Sequence, residues 1–312
     1  MQILFITSTR IGDAVLSTGL IDHLLREHPD ARFTVACGRV AEGLFRRMPG
    51  LERLIPIEKK RWGLHWPALW AQVAFRRWDL VVDLRGSAIA WMLWARRRGV
   101  MRGGRRPGHR LLHIAETLGV SPAPRPVAWF GPDDAARAEA LLPGPRPVLA
   151  LGPTANWPRK VWPADRFIHL AQALTGPGGV LEGARIAVLG GPGEQERAMA
   201  APVLAALPGA ADLVGVLDLP EAAAVLARSS LFVGNDSGLM HLSAATGTPT
   251  IGLFGPTPAS EYAPVGLRAL AVLAKGPPGA APMGALTATR VAEAAAALLA
   301  RPDPVELGEV AA

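Results

Sequence analysis

A chain of 312 residues exceeds most single cores, so two α/β domains of about 150 residues each are expected. Half of its residues are hydrophobic, which excludes a disordered chain. The net charge of +7 implies attraction to something anionic, whether nucleic acid, acidic lipid or a phosphorylated glycan. Cys37 is the only cysteine, so neither an internal disulfide nor a multi-thiolate metal site can form, and a reducing cytosol fits. No apolar run approaches the roughly 18 residues of a membrane span.

Taken in chain order, Ile3–Thr7 reads as a first strand and not as a signal peptide, because no basic leader precedes it. A helix at Ala14–His28, a strand at Arg32–Cys37 and a helix at Ala41–Met48 follow. Next come a strand at Leu54–Ile57, a Trp-rich helix at Pro67–Arg76 and a buried-type strand at Leu80–Leu84. Basic residues crowd this half: Lys59-Lys60-Arg61, Arg76-Arg77, Arg96-Arg97-Arg98, Arg102, Arg105-Arg106 and Arg110, with tryptophans between them. They form either a solvated arginine-rich surface or one that receives an anionic amphiphile at a membrane interface. Prolines punctuate Gly119–Pro147, which is expected to hold the interdomain linker.

A second series follows, with strands at Val148–Leu151, Arg185–Leu189, Leu213–Val214, Leu231–Val233 and Thr250–Phe254. Helices are expected at Ala164–Leu174, Glu194–Leu207, Leu219–Arg228, Gly238–Thr246 and Thr289–Leu299, and the tail from Arg301 reads as frayed. Strand, helix, strand in this rhythm predicts two parallel sheets.

In such sheets ligands bind beyond the carboxyl ends of strands, and four of those loops are chemically unusual. In Val233-Gly234-Asn235-Asp236-Ser237-Gly238-Leu239-Met240-His241 a strand runs directly into a helix. Its amide donors and positive dipole end suit a phosphate, with His241 one turn on. The bland alternative is a capped helix whose histidine packs in the core. In Gly152-Pro153-Thr154-Ala155-Asn156-Trp157-Pro158-Arg159-Lys160, Lys160 is a candidate counter-charge for a diphosphate, or else a surface lysine beside a tryptophan.

In Thr7-Ser8-Thr9-Arg10-Ile11-Gly12-Asp13, Asp13 either caps the first helix or serves as a general base toward an acceptor hydroxyl. The loop Gly190-Gly191-Pro192-Gly193-Glu194-Gln195-Glu196 nearly imitates a dinucleotide fingerprint. Glu196 stands where its third glycine should be, so a carboxylate accepting ribose hydroxyls suits it better than a phosphate. A P-loop, a paired-histidine zinc helix, a Cys-x-x-Cys and a Gly-x-Ser-x-Gly elbow are all missing from the sequence.

At Arg10-Ile11-Gly12-Asp13, Lys160-Val161-Trp162-Pro163, Asp236-Ser237-Gly238-Leu239-Met240-His241-Leu242 and Phe254-Gly255-Pro256-Thr257, the chain resembles the heptosyltransferases of bacterial lipopolysaccharide core synthesis. These are family 9 glycosyltransferases with a GT-B fold. The resemblance implies an α/β architecture of two Rossmann-like domains with parallel sheets facing a central cleft. Residues 1–145 would bind the acceptor and residues 146–312 the nucleotide sugar. It implies inverting transfer from ADP-heptose with Asp13 as base, and donor contacts from Thr154, Lys160, Glu194, Asp236, Ser237, Gly238 and His241. The best match for the ribose contact is Glu194, with Glu196 the alternative. Serine at Ser237 replaces the family's usual threonine. On the acceptor side Arg10, Gly12, Arg61 and Arg85 are candidates.

No catalytic metal and no tightly bound cofactor are expected, nor nucleic acid. The expected partners are a nucleotide sugar and an anionic lipid-linked glycan, met by a cytoplasmic monomer peripheral to the inner membrane. A transferase using another nucleotide sugar, a GT-B-like epimerase, a nicotinamide-dependent oxidoreductase using the Gly190 loop and a nucleic-acid binder are the rival readings.

Overall fold

The computed structural model describes residues 1–58, 60–104 and 106–301. Lys59, Arg105 and the tail beyond Arg301 lie outside the described residues. The chain divides into two compact units, Met1–Trp129 and Phe130–Ala312.

In the first unit, β1 (Gln2–Ile6), β2 (Arg32–Gly38), β3 (Leu51–Ile57), β4 (Trp78–Asp83) and β5 (Ala95–Val100) form one parallel sheet in the order β3-β2-β1-β4-β5. Ile3, Leu4, Phe5 and Ile6 are all buried, as a central parallel strand covered on both faces requires. Leu4 and Ile6 share a core with Leu69 and Val73 of α2 (His65–Val73) and with Ile89 and Leu93 of the segment leading to β5. By alternation Ile3 and Phe5 face the other side, where α1 (Ile11–Glu27) packs against α3 (Arg110–Glu116).

The second unit opens with α4 (Pro132–Leu141) and continues through β6 (Val148–Gly152), α5 (Ala164–Thr175), β7 (Arg185–Gly190), α6 (Glu194–Ala206) and β8 (Ala211–Val214). It goes on through α7 (Leu219–Ala227), β9 (Leu231–Asn235), α8 (Gly238–Ala245), β10 (Thr250–Phe254), α9 (Ala259–Tyr262), β11 (Ala269–Leu273) and α10 (Ala288–Ala300). Its parallel sheet runs β11-β10-β9-β6-β7-β8. On one face Leu149, Leu151, Val233 and Leu253 pack with Phe167 and Leu170 of α5 and Leu298 of α10.

The division falls at Trp129/Phe130, ahead of the expected 145/146 boundary. The reason is α4, which lies inside the proline-punctuated stretch yet packs on α7, and Arg228 Nε donates to the Leu142 carbonyl at 2.8 Å. The helix expected at Ala41–Met48 is a 3-10 turn over Arg39–Phe45. Strands β5 and β11 and helices α3 and α4 were not expected.

The order of each sheet positions the chemistry. From β1 the chain winds outward through β2 and β3, then returns to the far side of β1 as β4; from β6 it winds through β7 and β8, then returns as β9. The loops after β1 and β4, and after β6 and β9, therefore diverge and leave a crevice beyond the strand ends.

Candidate functional site

In the first unit a cavity of about 260 Å³ lies beyond the carboxyl ends of β1 and β4. Its walls include Thr7, Ser8, Asp13, Arg85, Arg102 and Arg110. Asp13 sits in the first turn of α1, where the positive end of the helix favours a carboxylate. Its Oδ1 lies 3.7 Å from Arg110 Nε, an ion pair without a hydrogen bond, and Ser8 Oγ stands 3.5 Å from Oδ2. Asp13 Oδ1 is shielded from solvent and accepts no hydrogen bond among the described residues. This carboxylate is therefore held in place by the Arg110 charge on one oxygen, with the Ser8 hydroxyl beside the other.

Arg85 is positioned by Asp83, the last residue of β4. The Asp83 carboxylate accepts from the Arg85 N–H at 2.8 Å, the Ser87 N–H at 2.8 Å and Ser87 Oγ at 2.6 Å, which folds the loop into a tight turn. Burial pushes the Asp83 carboxyl above the usual carboxylate range, although those hydrogen bonds pull it the other way. Arg85 Nη1 then reaches across the switch point to Thr9 Oγ1 at 3.3 Å. Gly38 lets the β1–α1 loop pass closely, since a Cβ there would stand 2.5 Å from Thr9 Cα.

Of the acceptor-side candidates, Arg85 lines this cavity with Asp13, and Gly12 precedes Asp13 in the first turn of α1. Arg10 is exposed at the N-cap of α1. Arg61 lies in an exposed 3-10 turn, stacked over Trp62 at 5.1 Å, and is not part of the cavity wall. Sequence reasoning noted Arg102 and Arg110 as basic residues but missed them as site residues. Arg102 stands just after β5 and Arg110 opens α3, and both of those elements were themselves missed.

In the second unit the loops after β6 and β9 meet through one polar node. Lys160 Nζ donates to Asp236 Oδ2 at 2.5 Å, and Thr257 Oγ1, after β10, donates to the same oxygen at 2.9 Å. Asp236 is almost fully buried, while Lys160 keeps one fifth of its side chain exposed. A backbone clasp fixes the same two loops, because the Trp162 N–H donates to Asn235 Oδ1 at 3.0 Å. Trp162 is itself buried, with its indole N–H on the Leu286 carbonyl at 2.9 Å.

Ser237 is the N-cap of α8, yet its hydroxyl makes no capping bond and is buried without a partner among the described residues. The N–H groups of the first turn, from Gly238 on, lack intrahelical acceptors. A negatively charged ligand would satisfy both, beside the Lys160 ammonium. His241 is buried one turn along α8, and buried Thr154 flanks the β6 side.

The glycine loop after β7 separates the two glutamates. Glu196 Oε2 accepts the Gly191 N–H at 3.2 Å and so is spent on its own loop. Glu194, the first residue of α6, is exposed. Thr154, Lys160, Asp236, Ser237, Gly238 and His241 thus gather around the β6/β9 switch point, with Glu194 one strand away. Thr257, Asn235 and Trp162 were not anticipated as site residues, although all three stood inside quoted motifs. Among the described residues no group of three or more His, Cys, Asp or Glu could hold a metal ion.

The sequence model of glycosyltransferase family 9 (heptosyltransferase) matches residues 109–281. The chain is 26% identical over 300 residues to lipopolysaccharide heptosyltransferase 2 of Salmonella typhimurium, covering 82% of this chain and 83% of that one. It is 27% identical over 293 residues to lipopolysaccharide heptosyltransferase 1 of Pseudomonas aeruginosa, covering 82% and 79%. Among solved structures, the family 9 glycosyl transferase of Veillonella parvula superposes with a TM-score of 0.74 at 21% identity, over 96% of this chain and 97% of that one. The Escherichia coli ADP-heptose lps heptosyltransferase II does so with a TM-score of 0.74 at 22% identity, over 96% and 98%.

Proposed function

The chain belongs to glycosyltransferase family 9, with the two parallel-sheet α/β domains of the GT-B fold, and we propose that it transfers heptose from ADP-heptose to an anionic, lipid-linked acceptor of the lipopolysaccharide core. The observation that carries this reading is the node of Lys160, Asp236 and Thr257 beside the open first turn of α8 at the β6/β9 switch point. A site so built binds a diphosphate. The names of the related enzymes supply the sugar and the acceptor class.

In the reaction the acceptor hydroxyl enters the cavity of the first unit. Asp13 takes its proton as the oxygen attacks the anomeric carbon of the donor. The bond from that carbon to the diphosphate oxygen breaks, its electron pair leaves with ADP, and the configuration inverts. Arg110 keeps the Asp13 carboxylate oriented, and Arg85 and Arg102 attract the anionic groups of the acceptor. The Lys160 ammonium and the α8 amides stabilise the growing charge on the departing diphosphate. Glu194 receives the ribose hydroxyls. Because the acceptor is lipid-linked, the enzyme works on the cytoplasmic face of the inner membrane.

The test is ADP release from ADP-heptose in the presence of core-truncated, O-deacylated lipopolysaccharide, beside UDP- and GDP-sugars. Release that requires both ADP-heptose and the acceptor supports the reading. Turnover confined to a UDP- or GDP-sugar would overturn the choice of donor.

A further inference from the structure

On one sheet face of the first unit, α2 and residues 88–94 form a covering layer whose inner side chains, Leu69, Val73, Ile89 and Leu93, join the core. The outer side of such a layer would ordinarily be polar. Here Phe75, just after α2, is 95% exposed, Trp94 71% and Trp91 68%, and Trp62, just before α2, is 83% exposed. Leu64 and Met92 are exposed next to them in sequence. Two contacts hold these rings on the layer: the Phe75 ring lies 6.3 Å from that of Trp70, and Arg77, two residues on, stacks 5.5 Å over Trp94.

The charge around these rings is predominantly positive, although Glu52, paired with Arg76 at 2.6 Å, sets one acid beside Phe75. Residues 59–106 hold twelve Lys and Arg against two Asp, so this stretch carries more than the whole net charge of +7. One of the two acids, Asp83, is buried, and the other, Asp79, lies 3.6 Å from Arg96. Among the described residues Arg61, Arg77 and Arg97 make no ion pair with a carboxylate.

We propose that this layer is a membrane-docking face, with Phe75, Trp91 and Trp94 seated at the headgroup level of an anionic bilayer and Arg77 and Arg97 on its phosphates. A second copy of the chain fits poorly, because a two-fold contact through this face would press the same positive patch against itself. Nucleic acid would use the arginines and rings but leave Leu64 and Met92 without a role. The face adjoins the acceptor cavity: Arg85, in the cavity wall, has its guanidinium 5.9 Å from the ring of Trp66, which packs into this layer. A lipid-linked acceptor would reach Asp13 from the surface on which the enzyme rests. This deepens the function proposed above and takes from it only the lipid anchor of the acceptor.

The experiment is co-sedimentation of the full chain with phosphatidylcholine vesicles, with and without phosphatidylglycerol. It is run on the wild type, a Phe75→Ser, Trp91→Ser, Trp94→Ser variant and an Arg77→Gln, Arg97→Gln variant. Thermal unfolding confirms that each remains folded. The wild type should bind only the anionic vesicles, and either variant should lower partitioning about tenfold. Turnover on an O-deacylated, water-soluble acceptor should stay unchanged in both. Equal vesicle binding by wild type and the aromatic variant, or no binding by the wild type, would overturn the proposal. So would a dimer on size exclusion that the aromatic variant dissociates, or a gel shift with nucleic acid in place of vesicle binding. Should the vesicle results hold while no heptosyl transfer is found, the docking face stands and the donor and acceptor assignments fall.

Discussion

Lys160 and Asp236 join the loops after two adjacent strands: the ammonium lies 2.5 Å from a carboxylate that also accepts from Thr257. The pair has two roles. It closes the β6/β9 switch point, and it holds a cation beside the amino end of α8 while two of its protons remain for a ligand.

Lys160→Ala should therefore affect stability and binding together. It leaves Asp236 buried without its cation, a change that costs on the order of 2–3 kcal/mol. ADP affinity should fall by at least about tenfold through the lost phosphate contact. Urea unfolding and ADP titration calorimetry measure the two effects. A variant of unchanged stability that binds ADP normally would remove Lys160 from the donor site.

Asp83 makes a prediction in pH. Its pKa is raised in the folded state, so between the unfolded value and the raised one the folded chain holds more protons. Its contribution to stability is thus largest at acid pH and declines as pH rises through the raised pKa. Asp83→Asn cannot titrate, so the stability of the wild type relative to this variant should fall from acid toward neutral pH. Urea unfolding of both proteins across that range checks the sign. A difference that grows with pH would contradict it.

Gly38 tests the close approach that places the loop leading to Asp13. A Cβ at this position would meet three backbone atoms of Thr9 within 3 Å, and backbone cannot swing aside as a side chain can. Gly38→Ala should cost about 1–3 kcal/mol and reduce turnover more than nucleotide affinity. Equal kcat for variant and wild type would show that the loop carrying Asp13 tolerates the shift.

Cys37 should be unreactive in the native chain. It is fully buried, and burial pushes its thiol up to about 12, so almost no thiolate exists at neutral pH. Mass spectrometry after iodoacetamide treatment should find it unmodified until the chain is unfolded in urea.

The central strands were legible because their apolar runs are buried on both faces, as at Leu80–Val82 and Leu231–Val233. Strand β5 was not, because at a sheet edge its Ala-Arg-Arg-Arg-Gly-Val sequence carries no apolar signal. Pairing with β4 and the bonds from Arg98 to the carbonyls of Ala90, Leu93 and Ala95 hold it instead. Helix α4 was hidden by surrounding prolines, although Pro132 at its start and Asp134, which accepts from the Gly131 N–H at 2.7 Å, mark an ordinary helix beginning. In the site, the loops could be read from glycines and polar residues after strands. The pairings could not, since Asp13 with Arg110 and Lys160 with Asp236 join residues far apart in sequence.

The most direct test of the account is the single turnover of Asp13→Asn, compared with the wild type at saturating ADP-heptose and acceptor. Removal of the base should slow transfer by about a hundredfold to ten-thousandfold while ADP binding stays within about twofold of the wild type. Transfer at the wild-type rate would contradict the assignment of Asp13, and with it the reading of the cavity it lines as the place where the acceptor is activated.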